Sequence, residues 1–231
     1  MSIRGPIFPP KLHNFFYLAI HGGQRIGHWW SKISGYEDRQ TCAYCNLPDT
    51  MDDILTQCTK PGQLIAWNLA RTLWEKKTSL PWLNPSLGLI LGCGLVRLQC
   101  PGDHNRLLDR FYCILVSETA FFIWKLRCET LLSKNDTPAT ATEIHNRWVH
   151  TLNERLTLDR LLTNMQTAGH RAVHPKLFAQ TWHGALLDED HLPEDWITKR
   201  ETKVLVGIEP IRGTPPTQPY QASHFNIDDF G

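Results

Sequence analysis

Two long apolar-periodic stretches on either side of a four-residue turn signal constrain this chain more than any other feature. In the first, Leu107, Phe111, Ile114, Glu118, Phe121, Trp124, Cys128 and Leu131 recur every three or four residues, with Lys125 beside Trp124. In the second, after Pro138, the series is Ile144, Trp148, Leu152, Leu156, Leu161 or Leu162, and Met165. Such spacing puts each set on one face of an α-helix. Asn135-Asp136-Thr137-Pro138 between them reads as a compact turn, so the two helices are expected to lie antiparallel. With 231 residues, 42% of them hydrophobic, the chain can build one good-sized core, or a main domain with a smaller appendage.

The rest of the sequence is also helical in character. Pro10 opens a helix through Leu12, Phe15, Phe16 and Ala19 that Gly22-Gly23 ends. A second short helix carries Ile26, Trp29 and Trp30. From Tyr36 to Pro48 the periodicity is lost, which predicts a loop. Thr50 is placed as the N-cap of a short helix with Asp52 and Asp53 in its first turn. That helix ends near Cys58, because Lys60 precedes Pro61 and is biased away from helical torsions. Pro61 suits the first turn of the next helix, where Leu64, Trp67, Arg71 and Trp74 (with Asn68 beside Trp67) are read as one stripe. Pro81 to Gly94 is a connection with one helical turn at Leu87 to Leu91, and a further helix is expected over Lys176 to Leu187. Only Lys203 to Ile208 looks strand-like. The fold class is therefore all-α: a helical bundle with an N-terminal knuckle-like subdomain. The expected organisation is that subdomain over 11–80, the bundle over 81–187, then an acidic segment at Asp188-Glu189-Asp190 and a flexible tail, rich in Pro, Gly, Thr and Gln, from Glu209.

Charge and cysteine use narrow the class. Lys+Arg (24) and Asp+Glu (23) nearly cancel, so no large field steers a nucleic acid or a membrane toward the chain. The 7 cysteines are an odd number; Cys93, Cys100, Cys113 and Cys128 fall in or beside apolar runs, as free thiols do. A reducing compartment fits better than secretion. Met1 to Pro10 lacks the apolar stretch of a signal peptide, and no uncharged run reaches the roughly 20 residues of a membrane span. The expectation is a soluble intracellular protein, nuclear or cytoplasmic.

Cys42-Ala43-Tyr44-Cys45 is the two-residue-spaced thiolate pair that lets one loop present two sulfurs to a tetrahedral metal. Cys58 is well placed as a third donor. A His or Cys is expected as the fourth, near the middle of the short helix, yet the residue five before Cys58 is Asp53. Asp53 reads either as a harder oxygen donor in a structural zinc site or as a first-turn acid complementing the helix dipole. His13, His21 or His28 would replace it if the first helices folded back.

In order, Phe15-Phe16, His21-Gly22, Cys42 with Cys45, Thr50, Asp53 with Cys58, and Trp67 resemble the zinc-binding region at the C-terminal end of non-LTR retrotransposon reverse transcriptases, fungal versions above all. Ile123 to Glu129 and Glu143 to Trp148 extend the resemblance, which covers roughly Leu12 to Asn164. It departs where the family's His is Asp53. The resemblance implies a non-catalytic accessory region that positions RNA, DNA or neighbouring reverse transcriptase or ribonuclease H domains, zinc being a structural clip. The chain begins at Met1 without those domains, which reads as a fragment or a decayed copy. The alternative is a metal-free helical interaction scaffold in which the three cysteines are remnants.

Enzymatic readings fail on residue context. Thr50-Met51-Asp52-Asp53 echoes a polymerase aspartate pair, which needs a β-hairpin and a third carboxylate from another strand, but its flanks are helical and the roughly fifty residues before it are too few for a palm and fingers. Acids on helix faces do not build a ribonuclease H centre, Gly92-Cys93-Gly94 has no nearby His, and His145 and His150 sit on different faces of one helix. Glu118 and Lys125 read as interhelical polar contacts. For nucleic acid, Lys32, Arg39, Lys60, Arg71, Lys76 and Lys77 give a mild basic bias interleaved with aromatics; a handful of phosphate contacts gives weak, salt-sensitive binding.

Overall fold

The computed structural model describes residues 7–98, 106–132, 139–199 and 201–212. Cys100, the Leu131 side chain, the turn at Asn135-Asp136-Thr137-Pro138 and the tail beyond 212 lie outside them. The elements are helices α1 (Pro10–Ile20), α2 (Pro61–Lys77), α3 (Leu87–Leu91), α4 (Arg106–Leu132), α5 (Ala141–Leu161), α6 (Met165–Ala168) and α7 (Pro175–Trp182), joined by 3-10 turns and one π-helical turn. Among the described residues the only strand pairings are isolated bridges, Thr41 with Pro48 and Leu186 with Val206, so the fold is all-α. The stretch 203–208 thus forms one bridge rather than a sheet.

α4 organises the molecule. Every residue from 109 to 123 is buried, so this segment is enclosed on all sides rather than along the one stripe its spacing predicts. The reason is its neighbours: α1, α2, α3, α5 and α7 all pack on it. Pairs from Glu129 with Arg147, through Thr119 with Trp148, to Arg110 with Asp159 run in opposite senses along the two long helices. α4 and α5 are therefore antiparallel, as expected. α2 is antiparallel to α4 as well, since Lys60 meets Thr130 at one end and Trp74 meets Phe111 at the other.

On α2 the buried apolar side chains are Ala66, Trp67, Ala70, Leu73 and Trp74, whereas Leu64 is 63% exposed and Arg71 lies in solvent. At about 100° per residue, positions 64 and 71 fall roughly a quarter-turn off that face, so the predicted stripe mixes two faces. Trp29 and Trp30 belong to a 3-10 turn, Gly27–Lys32, which the extended Ile26 precedes, and not to an α-helix. α5 stops at Leu161, and Met165 is 75% exposed beyond it. α3 forms over the residues expected of it, with the Ser86 hydroxyl accepting the Leu89 N–H. α7 is shorter than predicted because Gly184, at φ +78°, turns the chain; a Cβ there would come 3.4 Å from the Lys77 carbonyl oxygen.

The core runs without interruption from Leu12 to Val206. Its buried indoles also place their N–H groups, as burial of Trp requires: Trp67 donates to the Leu55 carbonyl (2.8 Å), Trp148 to the Thr119 hydroxyl (3.1 Å) and Trp182 to Asp159 (3.1 Å). Inside it α4 and α5 exchange charges. Asp159 accepts from Arg110 (2.9 Å) and Arg155 (3.1 Å), and Arg155 also reaches Glu118 (3.1 Å). Beyond α7 the chain returns to the body. Arg160 donates to the carbonyls of Ile197, Lys199 and Thr202, and the Asn153 side chain accepts the Val206 N–H (2.8 Å). Asn146 pairs with both backbone groups of Ile211, so the start of the stretch expected to be a tail is fastened to α5. Among the described residues no helix is long and apolar enough to cross a membrane.

Candidate metal centre

The cysteine loop is a tight reversal. Thr41 bridges Pro48, the Cys42 N–H donates to Leu47 (2.8 Å), and the Asn46 N–H donates to the Cys42 carbonyl (2.9 Å). Asn46 takes φ +56°, a left-handed conformation that Asn tolerates better than most residues. This turn presents Cys42 and Cys45 on one side. At its far end Asp49, which is buried, is clamped by Arg127 of α4 through two guanidinium hydrogen bonds. Gly27 packs against that end; a Cβ there would come 2.5 Å from the Asp49 carbonyl oxygen.

The other two donors come from the segment after the loop. The Thr50 hydroxyl accepts the Asp53 N–H (3.1 Å), which is the expected cap. From there the chain enters a π-helical turn, Asp53–Gln57, closed by the Cys58 N–H on the Asp53 carbonyl (2.8 Å). In a regular α-helix residues five apart point about 140° away from each other. The wider i→i+5 closure brings Cys58 back over Asp53, and the wider turn is what sets both donors beside the loop.

The result is a four-donor group. One ligand atom from each of Cys42, Cys45, Asp53 and Cys58 lies within 4.8 Å of all the others. Cys42 Sγ is 3.6 Å from Cys58 Sγ, and Cys45 Sγ is 3.1 Å from Asp53 Oδ1. Asp53 is 2% exposed and its Oδ2 has no hydrogen-bond partner, so one carboxylate oxygen is left over within the group; Asp53 also stands in the first turn, where an acid complements the helix dipole. These four residues could hold a metal ion. Among the described residues no histidine nitrogen joins the group, so Asp53 is its fourth donor rather than His13, His21 or His28.

The thiols are not equivalent. Burial works against ionising Cys42, but the N–H groups of Cys45 and Tyr44, together with the Cys45 and Cys58 thiols, outweigh it and hold Cys42 below the usual range. For Cys45 the Leu47 N–H favours the thiolate, and burial, the hydrogen bonds with Asp53 and Cys42 and the Cys42 charge together override it and raise the thiol. Burial, then Cys42 and Asp53, pushes Cys58 up to about 12. Lys60 stands close by, its ammonium 4.9 Å over the Tyr44 ring and donating to Thr130 (2.8 Å).

The six cations singled out for nucleic acid do not form one patch. Lys60 and Lys76-Lys77 sit at opposite ends of α2, about 24 Å apart at 1.5 Å per residue. Arg71 pairs with Glu75 (2.7 Å), and Lys77 lies over the Phe111 ring and donates to the His183 carbonyl. Lys32 is exposed, and Arg39 lies over the Trp30 and Tyr36 rings. Sequence reading placed Glu118 as an interhelical polar contact, which its pairing with Arg155 of α5 makes it, but missed the Asp49–Arg127 clamp and the roles of Arg110, Arg155 and Asp159; of these only the four-residue spacing of Arg155 and Asp159 on one helix was a visible signal. Comparison with protein-family models, with curated proteins and with solved structures finds no match for this chain.

Proposed function

We propose that this chain is a non-catalytic accessory module in which a structural zinc ion, held by Cys42, Cys45, Cys58 and Asp53, clips the cysteine loop to the helical body so that the body can position nucleic acid or neighbouring catalytic domains. The observation that carries this reading is the convergence of three sulfurs on a buried carboxylate with an unpartnered oxygen. The donor set fits. Two sulfurs at about 2.3 Å from a tetrahedral zinc stand about 3.8 Å apart, close to the 3.6 Å between Cys42 and Cys58. The resemblance to the zinc-binding region of retrotransposon reverse transcriptases supports the same role. A non-catalytic reading is supported by how the other buried acids are used. Asp49, Asp109, Glu118 and Asp159 are each engaged by an arginine or a backbone N–H.

A second reading keeps a specific observation on its side. The thiols already hydrogen-bond to one another and to Asp53, as a metal-free interaction scaffold would need. Purification under reducing conditions without chelator, followed by elemental mass spectrometry, separates the two. Near one zinc per chain, lost in the Cys42→Ser, Cys45→Ser variant, supports the clip. Zinc near zero in a folded protein leaves the scaffold. Asp53→His sharpens the result: it raises zinc affinity about tenfold if the site is a weakened clip and leaves it unchanged in a relic.

A further inference from the structure

The 3-10 turns Gly27–Lys32 and Glu37–Gln40 carry a stack of rings and guanidinium groups that the metal centre does not use. The Arg25 guanidinium lies 4.9 Å over Trp29, Trp29 meets Trp30 edge-on at 4.8 Å, and Trp30 meets Tyr36 at 5.7 Å. Arg39 covers both Trp30 (5.2 Å) and Tyr36 (4.8 Å). The Trp30 N–H is spent on the Arg25 carbonyl (2.9 Å), which fixes that ring in place. Yet Trp29 remains 36% and Tyr36 44% exposed. Aromatic surface is thus held in water in a fixed arrangement, where it can receive a flat partner at little further entropic cost.

We propose that this stack is a docking surface for single-stranded nucleic acid. Unpaired bases offer π-faces to Trp29 and Tyr36, and the Arg39 guanidinium, held over the Trp30 and Tyr36 rings, brings a positive charge that phosphate oxygens can meet. A duplex hides its base faces and gains nothing from the rings. Arg25, Lys32 and Arg39 outnumber Glu37 and Asp38 in this stretch, and the Glu37 carboxylate accepts the Gly35 N–H (2.9 Å). The charge excess is small, so binding is salt-sensitive and the rings supply most of it. The close approach of Gly27 to Asp49 places the stack against the end of the cysteine loop. The inference rests on the nucleic-acid reading above, but not on the metal.

The test is fluorescence anisotropy of a labelled oligouridylate of about 12 nucleotides with the full chain, alongside zinc content and far-UV circular dichroism. The wild type binds at low salt and releases as salt rises. Trp29→Ala with Tyr36→Ala weakens binding about tenfold or more, whereas Trp29→Phe with Tyr36→Phe restores it to within about threefold. Should the alanine pair fail to fold, Arg39→Glu keeps the rings, reverses one charge and still weakens binding. Equal binding by the wild type and these variants overturns the proposal, as does equal competition by a duplex. Displacement by polyglutamate as readily as by unlabelled oligouridylate reassigns the surface to acidic protein and overturns it too. A zinc-loaded wild type that binds no oligonucleotide removes this surface and leaves the clip. A zinc-free protein that binds with the stated variant pattern removes the clip and leaves this surface.

Discussion

Among the described residues one polar cluster is fully buried and another half-buried, and they solve the problem of burial in opposite ways. Between α4 and α5, Arg110 and Arg155 face Glu118 and Asp159, two positive charges against two negative, with the Trp182 N–H on Asp159 as a further contact. At the cysteine loop, Cys42, Cys45, Cys58 and Asp53 are all groups that ionise to negative charge. Burying unpaired charge costs several kcal/mol, so a cluster must either contain its counter-charges or take one from outside. The helix pair does the first. The loop is arranged for the second, and that asymmetry makes it, and not the more deeply buried network, the candidate for a ligand.

The comparison can be broken most forcefully at Asp159. Asp159→Ala leaves Arg110 buried without the Asp159 carboxylate and Arg155 with Glu118 alone, and should cost about 3–5 kcal/mol in urea unfolding, with or without metal. A loss under about 1 kcal/mol would mean that the network is not self-sufficient in charge.

Asp53→Asn should give effects of opposite sign depending on metal. In loaded protein it removes a donor: zinc affinity, read by competition with a chromophoric chelator, should fall at least about tenfold, or about 1.4 kcal/mol. In chelator-treated protein it removes a buried negative charge beside three sulfurs, and stability should hold or rise by about 1 kcal/mol. Equal destabilisation in both states would place Asp53 with Asp159, as a member of a closed network.

Lys77 is the intermediate case, a cation over an aromatic ring with a carbonyl partner and only Glu189 as a nearby counter-charge. Burial, partly offset by Glu189, lowers its pKa from the ordinary lysine value of 10.5 to about 8. The folded state therefore binds fewer protons than the unfolded state between those two values. The penalty for burying the ammonium stands in full below about pH 8 and is relieved as pH rises toward 10.5, so stability gains a positive slope there. Lys77→Met should flatten that slope, the smallest of these effects, in unfolding curves taken across the window.

The same contrast explains which features a sequence can display. The three cysteines were legible because thiolate ligands from one loop need short fixed spacing. The α4–α5 pair and α3 were legible from periodicity and caps. The full enclosure of α4 was not, because Asp109, Arg110, Ser117 and Thr119, unlike Glu118, look like solvent positions until their partners are known. Those partners arrive from positions as distant as Asp159, and no local pattern records them. The 3-10 turn around Trp29 and Trp30 escaped for a related reason, since its rings are ordered by Arg25, Tyr36 and Arg39 rather than by a helical repeat. Asp53 could be placed on a short helix from sequence, but its burial comes from a backbone closure that residue identities alone do not announce.

That closure has a consequence for how the site can be lost. A π-helical turn is an α-helical turn holding one residue more, so the meeting of Asp53 with Cys58 depends on the count of residues between them as much as on their identities. Ile54, Leu55, Thr56 and Gln57 could each be exchanged for a neighbour of similar size with the donors still in register. Deleting one of them would leave the cysteine four residues after Asp53, on the same face of an ordinary helix, whereas inserting one more residue would carry it about 120° around to another side. The centre is encoded partly as a length, and a frame-preserving insertion of a single codon would dismantle it while leaving every ligand in the sequence.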